Sequence, residues 1–213
     1  MAKLRLTALA LLQVVSLAAG AGERTASQVT ADAAIAELES ALEICDEDTI
    51  SSANSLVYRS DEPQKVMMYI ASVWIPPRGV SQCADNQRIQ VFVAGAIAQG
   101  YANGMVGQAD VRSLRTALRM GIRSKDPETA VASILGLAPV ATSADVQEFK
   151  RIASDKHYSQ REVGLRALAM QCSDEADAAI EELKNVFRED EVAMVRKEMR
   201  SFRDAACRKA SAH

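Results

Sequence analysis

Four arginines recur at helical spacing in the middle of the sequence: Arg112, Arg115, Arg119 and Arg123. Because steps of three and four residues return to the same side of an α-helix, they form one stripe on a helix predicted over 108–122. Arginine binds carboxylates and phosphates through paired hydrogen bonds. We expect the stripe to bind another protein with an acidic surface. The alternative is a solvated face, or ion pairs with the acidic N-terminal segment.

The four cysteines are a second set of residues with defined chemistry: Cys45, Cys83, Cys172 and Cys207. In an exported protein an even number favours disulfides, and three pairings are possible. We favour Cys45–Cys83 with Cys172–Cys207, because each pair then lies within one half of the chain. Free buried thiols are the alternative. A zinc site is disfavoured, because no Cys-x-x-Cys motif occurs and the sequence has only two histidines.

The sequence offers little that could perform catalysis. His157 is the only internal histidine, and its Lys-His-Tyr context is typical of a solvated turn. No serine or cysteine is placed as a nucleophile beside a base. The glycines from Gly100 to Gly107 lack the Lys-Ser/Thr ending of a phosphate-binding loop. We predict no catalytic residues, metal or cofactor; an enzyme using carboxylates in a groove with His157 is the less favoured alternative.

The only tryptophan lies in the clearest break in the helical pattern. Trp74 begins the sequence Trp-Ile-Pro-Pro-Arg-Gly at 74–79, and two prolines with a glycine exclude a helix there. Since tryptophan is enriched at interface hot spots, Trp74 could be a partner-binding tip. Alternatively, the ring folds back to cover the end of a helical layer.

The N-terminus resembles an export signal. Lys3 and Arg5 precede an apolar stretch at 6–17, and small residues at 19–21 fit a cleavage site. The stretch is short for a membrane-spanning helix, although a retained anchor is the alternative. We therefore expect a signal peptide at 1–21 and a periplasmic or secreted protein with no stable membrane anchor after cleavage.

Charge is distributed unevenly along the chain, although the formal net charge is only −3. Residues 22–64 hold ten acids and two bases, and residues 65–125 hold eight bases and two acids. A net acidic protein is not an obvious binder of nucleic acid or anionic membranes. The basic segment that contains the arginine stripe is thus better suited to an acidic protein partner.

The elements that must position these residues are helices. Apolar residues recur at spacings near three and four. They predict helices at 29–46, 50–57, 63–73, 85–101, 108–122, 128–138, 144–153, 160–172, 174–187 and 190–207. At an offset of 33 residues, Ile-Leu-Gly-Leu at 134–137 aligns with Ala-Leu-Ala-Met at 167–170. Each of these segments is followed by a polar break and a second amphipathic helix, which indicates a helical solenoid.

Helix pairs of this length, with Asp126-Pro127 before the first helix and the aligned segments within it, resemble HEAT-type repeats. The resemblance is best over 124–207 and extends back to Asp85. It implies an all-α fold, a short right-handed α-α solenoid of HEAT-like helix pairs, and binding of other proteins. Second helices of such repeats line the concave surface, so the arginine stripe would face a partner. First helices stack in parallel, which would bring Cys172 and Cys207 together.

These observations predict a signal peptide at 1–21, an N-terminal helical segment at 22–80, HEAT-like repeats at 81–207 and a flexible tail at 208–213. We expect an exported, non-catalytic protein-binding module, either an adaptor or an inhibitor in the periplasm. One specific version is an immunity protein that neutralises a toxin delivered to the periplasm. The alternative is a structural or assembly component of the cell envelope, with oligomeric contacts through the Trp74 loop.

Overall fold

The computed structural model of this protein describes residues 28–107, 109–155 and 160–210, and over these residues the fold is all-α, as predicted. The twelve described α-helices are α1 (Ala31–Ile44), α2 (Glu47–Ser51), α3 (Ala53–Arg59), α4 (Pro63–Ser72), α5 (Gln87–Ala102), α6 (Val111–Gly121), α7 (Pro127–Leu137), α8 (Ser143–Ser154), α9 (Arg161–Ala169), α10 (Asp174–Glu182), α11 (Glu189–Glu198) and α12 (Arg200–Ala210). The predicted signal peptide, His157 and His213 lie outside the described residues.

Short non-α elements connect some of these helices. Two-residue strands β1 (Trp74–Ile75) and β2 (Gly79–Val80) pair antiparallel, with Trp74 opposite Val80. Turns of 3₁₀-helix cover Ser81–Cys83, Ala138–Val140 and Leu183–Asn185. Within the described ranges, no helix is both long and apolar enough to cross a membrane.

Side chains that satisfy free backbone N–H groups explain where many helices begin. The capping residues are Thr30 before α1, Asp46 before α2, Asn86 before α5, Asp110 before α6, Asp126 before α7 and Ser173 before α10. Proline occupies the first position of α4 and of α7, where its missing N–H costs nothing. The predicted start of the 85–101 helix was therefore two residues early, because Asn86 supplies the cap.

Two predicted boundaries were wrong for identifiable reasons. The helix predicted at 29–46 ends at Ile44, Asp46 then caps a new helix, and the helix predicted at 50–57 is divided between α2 and α3. The helix predicted at 190–207 ends at Met199, whose ψ is 1°, and α12 starts afresh. The side chain of Met199 is buried, so it anchors this corner in the core.

Alternate helices pack against one another from α5 onwards. The first set consists of α5, α7, α9 and α11, in which each helix contacts the next. In the second set, α6 packs on α5 and α7, and α8 packs on α9 and α10. The last helix, α12, contacts α11 and also returns to α5. The core runs as one apolar cluster from Ala31 to Met199, so the N-terminal helices share it.

Several hydrogen bonds and ion pairs join residues that lie 32 or 33 positions apart in the sequence. The Gln171 amide donates to the Ala138 carbonyl 33 residues earlier, and Arg203 donates to the Gln171 carbonyl 32 residues earlier. The pairs Lys150–Glu182 and Arg166–Glu198 are also 32 residues apart. These intervals match the offset of 33 residues found in the sequence.

The closest approach between helices occurs where α5 crosses α7. A Cβ added to Gly136 would lie 2.9 Å from the Gly95 Cα and 3.0 Å from a Leu118 methyl carbon. The absence of side chains at both glycines therefore sets the distance between these helices.

Both favoured cysteine pairings are confirmed. Cys45 pairs with Cys83, with Cα atoms 5.7 Å apart, and Cys172 pairs with Cys207, with Cα atoms 5.1 Å apart. The first disulfide joins the C-terminal end of α1 to the 3₁₀ turn before α5. The second joins the end of α9 to α12, rather than to a continuous helix from 190 to 207. Disulfides thus fix one segment near each end of the described chain.

Candidate functional site

The arginine stripe lies on α6. The inner face of this helix packs against α5 and α7. Leu114 and Leu118 are fully buried on that face. The opposite face, called the α6 face below, consists of Arg112, Thr116, Arg119, Met120 and Arg123, all of them exposed. These residues span the helix at steps of three and four, so they occupy one side of it. The predicted stripe exists as a surface, although its members differ in their contacts.

Two of the four predicted arginines have partners within the chain. Arg115 is half-buried, and its Nε donates to the Val140 carbonyl. Arg119 donates two hydrogen bonds to Asp145, at 2.7 and 2.8 Å, and one to the Thr142 hydroxyl at 3.1 Å. Both arginines therefore dock α6 on the segment that leads into α8. Their partners do not come from the acidic N-terminal segment.

Asp145 is the buried acceptor of this arrangement, with 5% of its side chain exposed. It also accepts from the backbone N–H and the hydroxyl of Thr142, in a capping box that starts α8. Burial opposes ionisation of Asp145, but the hydrogen bonds from Arg119 and Thr142 outweigh it and hold the pKa of this carboxyl below its ordinary value. The Thr-x-x-Asp spacing at 142–145 was a sequence signal for this role.

The other two arginines remain available on the surface. Among the residues that the structure describes, neither Arg112 nor Arg123 takes part in an ion pair. Arg112 lies near the Asp110 cap. The hydrogen bond from Arg151 is the main cause that lowers the pKa of Glu148, and the charge of Arg123 adds to it. Between Arg112 and Arg123, Met120 has 62% of its surface exposed. The α6 face thus presents two uncommitted guanidinium groups around a flexible apolar side chain.

Trp74 is packed in the interior rather than presented on a loop tip. Its surface is 8% exposed, and its indole N–H has no hydrogen-bond partner in the described residues. The Gln90 side chain ties the hairpin to α5, because its amide exchanges hydrogen bonds with Val80. This placement corrects the expectation of a partner-binding tip, since a buried ring cannot contact a partner without the loop moving. It matches the alternative in which the ring folds back on the helical layer.

The described residues do not assemble a group of acids that resembles a catalytic or metal centre. Asp145 is the one buried carboxylate among them, and Arg119 and Thr142 occupy its oxygens. No cluster of three or more histidine, cysteine, aspartate or glutamate side chains in these ranges could hold a metal ion. The position of His157 lies outside the described residues.

Comparison with known proteins finds no matching family model, no similar curated protein and no similar solved structure. The functional assignment therefore depends on the geometry and charge of the surface itself. On the α6 face, cations and an exposed apolar side chain occur together at regular spacing.

Proposed function

We propose that this protein is an exported, non-catalytic binding module in which a short right-handed array of HEAT-like helix pairs presents the α6 face to an acidic protein surface. The hydrogen bonds that recur at intervals of 32 and 33 residues support the repeat arrangement. The contacts of α5 with α7, α7 with α9 and α9 with α11 support it as well.

The observation that carries the binding function is the difference between the four arginines. Arg115 and Arg119 have intramolecular partners, whereas Arg112 and Arg123 have no ion pair among the described residues and flank the exposed Met120. Arginine and methionine are both enriched in protein interfaces, and carboxylates match guanidinium groups through paired hydrogen bonds. The α6 face therefore suits a partner that presents carboxylates around a small apolar contact.

A periplasmic or secreted setting belongs to the same proposal. Two disulfides suit an oxidising compartment, and residues 1–21 have the pattern of a signal peptide. Within that setting we favour an adaptor or inhibitor, one version being an immunity protein that neutralises a toxin delivered to the periplasm. In each version the protein acts by occupying a surface of its partner rather than by chemistry.

The test is affinity capture by the tagged protein from a periplasmic extract of its source cells, followed by reconstitution with the captured protein. Arg112→Glu with Arg123→Glu reverses the charge of the α6 face without touching the bonds of Arg115 or Arg119. We expect this variant to bind the reconstituted partner at least about tenfold more weakly, because like charges then face each other.

The matched control is Lys197→Glu with Arg200→Glu, which changes the net charge equally at exposed positions on α11 and α12. The control should bind like the unaltered protein, and binding should weaken as salt screens the exposed charges. Equal binding by both variants would overturn the assignment of the α6 face.

A further inference from the structure

The exposed face of α1 carries the charge pattern of the α6 face with the opposite sign. On α6 and in the turn just after it, the arginines at 112, 119 and 123 are separated by seven and four residues. On α1 the acids Asp32, Glu39 and Glu43 have the same separations and are all exposed. Because both elements are α-helices, equal separations give equal rises and equal angles around the axis. Arg112 with Arg119 on α6 and Asp32 with Glu39 on α1 are therefore superimposable and opposite in charge, and the next charge of each set, Arg123 or Glu43, follows four residues later.

The acids of α1 remain largely uncompensated within the chain. Asp32 pairs with Lys65 at 2.7 Å, but neither Glu39 nor Glu43 is in an ion pair with any described residue. Both carboxylates act electrostatically on Tyr69, which is partly buried. Burial is the main cause that raises the pKa of this tyrosine, and the negative charges of Glu39 and Glu43 add to it. Acidic side chains on α10 differ, since Asp177 and Glu181 pair with Arg196 and Glu182 pairs with Lys150.

The two faces do not meet within one molecule. α1 packs on α2, α3 and α4, whereas α6 packs on α5 and α7. The described ion pairs do not join α1 to α6. Exposed apolar side chains lie near both sets of charges: Ile44, at 76%, ends α1, and Met120, at 62%, lies on the α6 face. Charge complementarity and unpaired apolar contacts are features of surfaces that bind other proteins.

We propose that the α6 face of one copy of this protein binds the α1 face of a second copy, with the two helices parallel and Arg123 opposite Glu43. The contact joins different surfaces of the two molecules, so each copy keeps one face free for the next. The inference rests on the proposed function, since it uses the same α6 face, and it identifies a further copy of the chain as an acidic surface that this face recognises.

The experiment is sedimentation velocity on the purified full chain over a range of protein concentrations. We expect the average mass to rise with concentration at low salt. At about 1 M salt, where charges are screened beyond roughly 3 Å, the protein should be monomeric. Arg112→Glu with Arg123→Glu should weaken association at least about tenfold, and so should Glu39→Arg with Glu43→Arg.

Two further samples separate a specific contact from damage to the fold. An equimolar mixture of the two variants should associate, because each supplies the unaltered face that the other lacks. A chain with all four substitutions should regain self-association, because both charges are then reversed together. Recovery in either sample would show that the variants fold. The proposal would be overturned if neither sample associates, or if each separate variant associates as strongly as the unaltered protein.

Failure of the self-association can be distinguished from failure of the proposed function. A protein that is monomeric at every concentration, but loses a captured acidic partner on reversal at Arg112 and Arg123, overturns the second copy as occupant and leaves the α6 face as a binding surface. A protein that self-associates as described, but captures nothing else, supports the contact between copies and removes support for a separate partner.

Discussion

Asp145 links two helices from a buried position, and its substitution tests the most constrained polar contact of the site. In Asp145→Asn, the paired bonds from Arg119 lose their charged acceptor and the cap of α8 is weakened. We expect the free energy of unfolding to fall by about 1–3 kcal/mol at neutral pH. Urea denaturation measures the change. Glu148→Gln is the control. Glu148 pairs with Arg151 on the surface of α8, and loss of this ion pair should lower the free energy of unfolding by about 0.5 kcal/mol or less.

The effect of Asp145→Asn on stability should depend on pH with a defined sign. Since the folded protein holds the pKa of Asp145 below its ordinary value, ionised Asp145 stabilises the fold above the unfolded-state pKa of about 3.9. That contribution is lost as the pH falls from there through the lowered folded-state pKa. The difference in stability between the unaltered protein and Asp145→Asn should therefore shrink on acidification. A difference that stays constant would contradict the role given to this carboxylate.

Individual residues were predictable where their roles depend on local spacing. Steps of three and four placed the arginines on one stripe, and the cysteine pairs followed from their positions in the two halves of the chain. The partners of Arg115 and Arg119 could not be predicted, because they lie 25 and 26 residues away along the chain. Such contacts depend on how α6 and the start of α8 pack. Burial of Trp74 was one of the two alternatives that the sequence offered, and the packing of its loop against the helices decides between them.

Helix crossings depend on glycine at the scale of elements. In Gly136→Ala the new Cβ would lie 2.9 Å from the Gly95 backbone, which cannot rotate away. We expect overpacking to destabilise the fold by about 1–3 kcal/mol. This loss should outweigh the stabilisation of about 1 kcal/mol that alanine gives a helix relative to glycine. Gly107→Ala is the control, because open space surrounds that position. Thermal denaturation should show a lower midpoint for Gly136→Ala alone; equal midpoints would mean that α5 and α7 can separate freely.

Most helices were predictable because apolar periodicity survives in short amphipathic segments. The breaks were harder. Asp46 has a residue type that both interrupts one helix and caps the next, so its type alone does not decide between these outcomes. No proline or glycine marks the corner at Met199. That corner depends on burial of its side chain and on the return of α12 to α5.

At the scale of the whole molecule, the Cys172–Cys207 disulfide fixes the last helix, α12, to the end of α9. Cys172→Ser with Cys207→Ser should lower the free energy of unfolding by about 2–4 kcal/mol. Hydrogen exchange of the α12 amides should become faster, because that helix would then be held by non-covalent contacts such as the bonds of Arg203 and the packing against α5 and α11.

Cys45→Ser with Cys83→Ser is the matched control for that substitution. Its loop of 38 residues is close to the 35 residues of the other pair, so a similar loss of stability is expected. Faster exchange should then appear around the C-terminal end of α1 instead of in α12. Unchanged exchange of α12 in the first variant would show that the disulfide is not what holds this helix in place.

The all-α class was predictable from the whole sequence, since strand patterns are missing and helical periodicity recurs. The return of α12 to α5 was not, because a repeat predicts contacts between neighbours only. The bonds from Gln171 and Arg203 span 33 and 32 residues, close to the offset of 33 residues between the aligned segments of the sequence.

The Cys172–Cys207 disulfide also decides how a mechanical load would travel through this protein. A tension applied at the C-terminus passes from Cys207 directly to Cys172 through a covalent bond. The 35-residue loop that contains α10 and α11 is thereby excluded from the loaded path, which removes roughly 120 Å of extensible chain. Force reaches α9 first, so a tether at this end would leave α10 and α11 folded until the disulfide is reduced.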